Sequence, residues 1–150
     1  MADIELRSAA FGDHDMIPHR HAKDGEDVSP PLTWTGVPDA AAELALLCED
    51  PDAPSGTFVH WLVTGIDPRR EGLESGAVHP GSHLHRNGYG DEGWGGPRPP
   101  VGDEAHRYVF TLYALPAPVS LPDGATAEDA HRVLDRQQIA CGTLVGLYRR

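Results

Sequence analysis

Two short polar segments hold most of the side chains in this sequence that could do chemistry. Asp50-Pro51-Asp52-Ala53-Pro54 sets two carboxylates in a proline-stiffened turn, with His60-Trp61 soon after. Gly93-Trp94-Gly95-Gly96-Pro97-Arg98-Pro99-Pro100 is followed by His106-Arg107-Tyr108. Prolines fix the backbone and carry no amide donor, so they build walls. Glycines let backbone approach a ligand closely and leave N–H groups free to point at it. Two carboxylates would repel an anion unless an imidazolium or a carboxyl proton offsets them. With His60 or His106 protonated, a phosphate-sized group is the natural occupant.

Each segment also has a plainer reading. Asp-Pro-Asp-Ala-Pro can be a turn whose aspartates bond local backbone, and Gly-Pro-Arg-Pro-Pro a stiff surface loop. A single histidine in an apolar strand is commonly a satisfied core residue. Arg107 reads as a structural ion-pair partner and the tryptophans as core, with Trp94 also able to line a pocket mouth.

The elements flanking these segments decide whether they meet. Glu43 to Asp50 is apolar almost throughout, as a strand buried on both faces would be. Phe58 to Ile66 is the next strand, and Tyr108 to Leu115, rich in β-branched and aromatic residues, is the third. Alternation puts His106 and Tyr108 on one face and Arg107 on the other. It also puts His60 with Phe58 and Leu62, and Trp61 opposite with Val59 and Val63. If the three strands are neighbours, Asp50, His60, His106 and Tyr108 can meet at one end of the sheet.

Ser29 to Trp34 reads as an extended stretch entering a short strand. Asp67 to Ala105 is a long Gly-, Pro- and charge-rich segment, read as ordered because motif residues fill its last third. Thr126 to Asp129 can cap a helix running to about Gln138. Gly142 is expected to break the chain there, with a last strand over Thr143 to Tyr148. The first forty residues show little periodicity.

At 150 residues the chain fits one domain. Its net charge of −11 repels phosphate backbones, so nucleic acid is not an expected partner. No segment approaches a membrane span and no export signal is visible, which predicts a cytoplasmic protein without integral membrane association. Cys48 and Cys141 are the only cysteines and, each inside an apolar run, read as buried free thiols, and they lack zinc-site spacing.

Taken jointly and in this order, these motifs resemble the phosphatidylethanolamine-binding protein family, in its bacterial and archaeal Raf-kinase-inhibitor-like branch. The similarity also takes in Ser29 to Trp34 and the Gly142 to Arg149 ending, and so covers nearly the whole chain. It implies a mainly β fold with peripheral helices, in which a central sheet packs on a second sheet and a C-terminal helix precedes the final strand. It also implies a pocket for phosphate or phosphoryl head groups. Carried over by position, Asp50, Asp52, Pro54, His60, Pro100, His106 and Tyr108 line that pocket, with Gly96 and Pro97 at its rim. Pro54 is the first candidate for a cis peptide bond. Trp94 replaces the family's usual Tyr, and Arg98 stands where bacterial members often have a small residue or Cys and could add a cation near the anion. The spacer from Pro54 to His60 is short, which weakens transfer of kinase binding.

The favoured expectation is a binding protein for a phosphate-bearing small molecule or a phosphorylated partner group, with no cofactor, no metal and no catalytic residue. His60, His106 and Tyr108 would donate to the anion, and the Gly95 and Gly96 amides would complete the cradle. A hydrolase or metal enzyme built on the His/Asp cluster is one alternative, and a protease or kinase inhibitor acting through its surface is another. The resemblance also suggests a homodimer.

Overall fold

The computed structural model describes residues 3–150. Nine strands and one α-helix run in the order β1 Glu5–Arg7, β2 Asp15–Met16, β3 Leu32–Thr35, β4 Glu43–Asp50, β5 Phe58–Ile66, β6 Gly72–Leu73, β7 His83–Leu84, β8 His106–Leu115, α1 Ala127–Gln137 and β9 Ala140–Tyr148. A single 3-10 turn, His19–His21, lies between β2 and β3. Six strands form one sheet in the order β2-β9-β8-β4-β5-β7, and β1-β3-β6 form a second.

The large sheet is covered on both faces, which explains the unbroken apolar run of β4. One face packs on the small sheet: Leu44, Leu46, Cys48, Phe110 and Leu112 meet Leu6, Leu32 and Trp34. The other carries α1, whose Ala130 and Leu134 sit on Ala45, Leu47, Leu62 and Tyr113. Every residue of β4 is buried, and Leu44 to Cys48 are fully so. Burying the leucines of this strand stabilises the fold by about 1.5–3 kcal/mol each.

Helix α1 begins where the sequence predicts. The Thr126 hydroxyl accepts from the Asp129 amide, and the Asp129 carboxylate accepts from the Thr126 amide. The helix ends at Gln137, but β9 starts at Ala140 and runs straight through Gly142. That glycine is therefore no breaker. A Cβ there would lie 2.1 Å from the Ile4 carbonyl oxygen, so Gly142 lets the chain entering β1 cross against β9, where the Ile4 amide bonds Cys141. Cys48 and Cys141 are both free thiols on opposite faces of the large sheet; Cys48 is buried as expected, but Cys141, on β9, is only partly buried.

Strands β4 and β5 match their predicted bounds, and β8 starts two residues earlier than expected, at His106. The three are neighbours: β4 pairs antiparallel with both β5 and β8. Strict alternation fails on β5. Cys48 pairs with Trp61 and Glu49 with Val59, so His60 is the extra residue of a β-bulge. Bulges re-aim side chains, and this one puts His60 and Trp61 on the same side of the sheet. His60 packs on Tyr108 at 5.1 Å between ring centroids, and Trp61 joins the core with Val63. Leu62 and Val59 lie on the helix side.

Candidate functional site

Three strand ends and two loops enclose a cavity of about 190 Å³, lined by Asp50, Ala53, Pro54, Phe58, His60, Tyr89, Arg98, Pro99, Pro100, His106 and Tyr108. It has room for about six water volumes, which suits a head-group-sized ligand rather than a lipid chain.

Asp50 ends β4 and is almost fully buried. One carboxylate oxygen accepts the Asp52 amide at 2.8 Å, a turn that redirects the chain out of the sheet, and the other takes His106 Nδ1 at 2.7 Å. His106 Nε2 faces the Asp103 carboxylate at 3.1 Å. Burial alone would lower the His106 pKa, but the two carboxylates outweigh it and hold it above the ordinary histidine value. Both ring nitrogens donate, so His106 is an imidazolium spent on two carboxylates.

His60 is the opposite case. Burial pushes its pKa down, against the opposing pull of the Gly95 carbonyl and the Asp50 charge. Its Nδ1 lies 2.6 Å from the Gly95 carbonyl oxygen, which can only accept, so Nδ1 carries the proton. In the neutral ring Nε2 is then the nitrogen without a proton.

Tyr108 is fully buried, and its hydroxyl has no hydrogen-bond partner among the described residues. Burial, reinforced by the nearby Asp50 charge, pushes its pKa well above the usual phenol value. It is a neutral donor held in reserve. Arg98, exposed at the cavity edge, has no carboxylate partner among the described residues.

The predicted residues thus divide. Asp50, Pro54, His60, Pro100, His106 and Tyr108 come together around the cavity. Asp52, Gly96 and Pro97 do not line it. The Asp52 carboxylate is held by the Arg107 amide and guanidinium at 2.7–3.0 Å, which lowers its pKa to about 2. Arg107 is the ion-pair partner the sequence suggested.

The glycine amides are not free to cradle an anion. The Gly95 amide donates to the His60 carbonyl at 2.9 Å and the Gly96 amide to the Asp27 carboxylate at 2.7 Å. A Cβ on Gly96 would lie 2.2 Å from the His21 carbonyl oxygen, so this glycine serves loop packing. The Pro97 carbonyl accepts the Lys23 amide. Trp94 is not at the mouth either. It stacks on Phe110, meets Trp61 edge-on and donates its indole N–H to the His21 carbonyl. Among the described residues no peptide bond is cis, so Pro54 is trans, in a turn already set by Asp50 accepting the Asp52 amide.

Sequence reasoning missed Tyr89, Phe58 and Asp103. Tyr89 packs on Phe58 at 4.8 Å and donates to the Gly96 carbonyl; burial raises its pKa to about 12. Its signal was an aromatic in Asn87-Gly88-Tyr89-Gly90, where the Asn87 side chain accepts the Tyr89 amide. Among the described residues no three His, Cys, Asp or Glu side chains are grouped as metal ligands, and no helix is long and apolar enough to cross a membrane.

Comparison with known proteins fits this geometry. The chain is 43% identical to a UPF0098 protein of Methanothermobacter thermautotrophicus, over 98% of this chain and 99% of that one. It is 41% identical, over 97% of its own length and 72% of the other's, to a Mycobacterium tuberculosis protein, LppC, whose name marks it as a candidate lipoprotein. The crystal structure of E. coli YbcL, described as a member of the mammalian PEBP family, superposes with a TM-score of 0.92 at 27% identity, covering 99% of each chain. The family model described as phosphatidylethanolamine-binding protein matches residues 7–149. The double-sided sheet, its capped C-terminal helix and final strand, and these likenesses over nearly the whole length make the chain a member of the phosphatidylethanolamine-binding protein family.

Proposed function

We propose that the protein binds a small phosphoryl group in the cavity between β4, β5, β8 and the Arg98 loop. The observation that carries this reading is the Tyr108 hydroxyl, a buried donor without a partner among the described residues, on a residue that lines the cavity together with Arg98, whose guanidinium has no carboxylate partner among those residues. An unsatisfied buried donor costs about 1–3 kcal/mol, and a ligand oxygen that accepts from it recovers that cost. Tyr108 and Arg98 donate to the anion. The Asp50–His106–Asp103 array stiffens the floor, its imidazolium offsetting one of the two carboxylate charges. The donor role expected of His60 and His106 does not fit the geometry, since the His60 ring gives its Nδ1 proton to the Gly95 carbonyl and the His106 ring is spent on carboxylates.

Binding, not catalysis, is the reading these groups favour. No Ser, Thr, Cys or Lys lines the cavity, and the imidazolium of His106 has no free nitrogen to act as a base. The ligand is a free phosphorylated molecule or a phosphorylated partner group; regulation of a kinase or protease, and homodimer formation, would be built on that binding. A cytoplasmic site of action belongs to the same proposal, supported by the two free thiols.

The test is calorimetric titration of inorganic phosphate and phosphorylethanolamine into wild type and Tyr108→Phe. Saturable binding to wild type, weakened about tenfold or more in the variant, is the expected result. Absence of binding to wild type, or equal binding to both, would overturn the reading.

A further inference from the structure

Six of the nine histidines are engaged by an acceptor. His14, His19, His106 and His131 each meet a carboxylate, and His21 and His60 each meet a carbonyl. His83 and His85 meet each other instead, with ring centroids 4.3 Å apart and planes at 56°. They alternate along the edge of the large sheet, where β7 pairs only with β5. The His85 amide continues that pairing by donating to the Leu62 carbonyl. Leu84 packs on the small-sheet side, so alternation sends both imidazoles to the helix side, away from His60 and the cavity.

His83 is exposed, whereas His85 is buried and its Nε2 is held by the Thr64 hydroxyl at 2.8 Å. A ligating histidine commonly has its second nitrogen fixed by such a partner, which sets the ring's orientation. Here that leaves Nδ1 of His85 as the nitrogen for a ligand. Burial, with the His83 charge adding to it, holds the His85 pKa below the ordinary histidine value, so near pH 7 the ring is neutral, the ligating form. Two imidazoles on one ion, each about 2.0–2.1 Å from nitrogen to metal, bring their ring centres to roughly 4.5–5 Å. The observed separation falls just short of that span, and a small ring rotation reaches it. The Asp123 carboxylate, in the loop before α1, acts on His85 in the sense that favours a cation, and the net charge of −11 adds to it.

We propose that His83 and His85 form a binding site for a late first-row divalent transition metal ion, with Cu(II) held most tightly. Imidazole suits copper, nickel and zinc, and Cu(II) heads the order of affinities at a given nitrogen site. Hard cations such as Mg(II) and Ca(II) prefer oxygen ligands and are not expected here. The protein supplies two ligands and water completes the coordination, in keeping with the lack of a three-residue group among the described residues. The site lies on the opposite face of the sheet from the phosphoryl cavity, and neither proposal depends on the other.

Titration of Cu(II) into the whole protein, with glycine as a competing chelator, tests this. Wild type should take one equivalent from glycine, and its electron paramagnetic resonance spectrum should show splitting from two imidazole nitrogens. His83 is exposed, so His83→Gln leaves the core intact. It should weaken that equivalent by about 100-fold or more, since losing even an outer partner of a ligand costs about 10- to 100-fold. His14→Gln, which removes an exposed histidine beside Asp13, should bind copper as wild type does. Copper held equally by wild type and His83→Gln, or held by neither, overturns the proposal, and so does a loss of binding in His14→Gln.

Discussion

Glu49 and Asp50 are consecutive residues of β4, and they send their carboxylates to opposite faces of the large sheet, each to a histidine. Asp50 meets His106 on the cavity side, and Glu49 meets His131 of α1 on the other at 2.8–2.9 Å. The helix side is fully paired. His131 Nδ1 bonds Asp135, and Asp135 in turn accepts the Tyr113 hydroxyl at 3.0 Å. The cavity side has the same chemical parts, carboxylates, an imidazolium and a tyrosine, but its Tyr108 hydroxyl is left without a partner among the described residues. One network spends all its hydrogen bonds on holding a helix. The other keeps a donor unspent on a residue that lines a cavity, the difference the proposed binding role calls for.

The largest effect that tests this comparison comes from breaking the more deeply buried pair. The His106 and Asp50 side chains are 7% and 5% exposed, so His106→Ala strands a buried carboxylate. It should cost about 3–5 kcal/mol in urea denaturation. A loss below about 1 kcal/mol would show that the pair is not desolvated.

His131→Ala should cost less, about 1 kcal/mol, because that ring is 38% exposed and solvent screens it. The His131 pKa is raised; burial opposes the shift, but Glu49 and Asp135 outweigh it. Stability contributed by a raised histidine is complete below the unfolded value of about 6.5 and is lost as pH rises through the folded value. The gap between wild type and His131→Ala should therefore be wider at pH 5.5 than at pH 9. A gap that widens with pH would contradict the charged pairing.

The sequence was most readable where burial is extreme. The apolar block of β4 and the nine residues of β5 stand out because both faces are covered, and the cap of α1 is a local signal in four residues. β1, β2, β6 and β7 are two or three residues long, too short for a period to show, and they exist through pairing with distant partners. Gly142 misled because a glycine that ends a helix and one that admits a crossing backbone look alike in sequence.

At the site, the motif identified Asp50, Pro54, His60, Pro100, His106 and Tyr108 as neighbours, but not their hydrogen bonds. That Asp52 turns to Arg107, that the Gly95 and Gly96 amides are consumed within the protein, and that a bulge re-aims His60 are all tertiary facts. No spacing rule along the chain encodes them. Tyr89 comes from the middle of an aperiodic loop, placed by its bond to Gly96 and its packing on Phe58.

The central claim is that the cavity face withholds a hydrogen bond that the helix face makes, and two tyrosine hydroxyl deletions test it most directly. Urea denaturation of Tyr108→Phe and Tyr113→Phe should move in opposite directions. Tyr113→Phe should lose about 1 kcal/mol with its bond to Asp135, and Tyr108→Phe should be unchanged or more stable by about 1 kcal/mol. If Tyr108→Phe is destabilised as much as Tyr113→Phe, the Tyr108 hydroxyl is already satisfied in the ligand-free protein, and the contrast between the two faces fails.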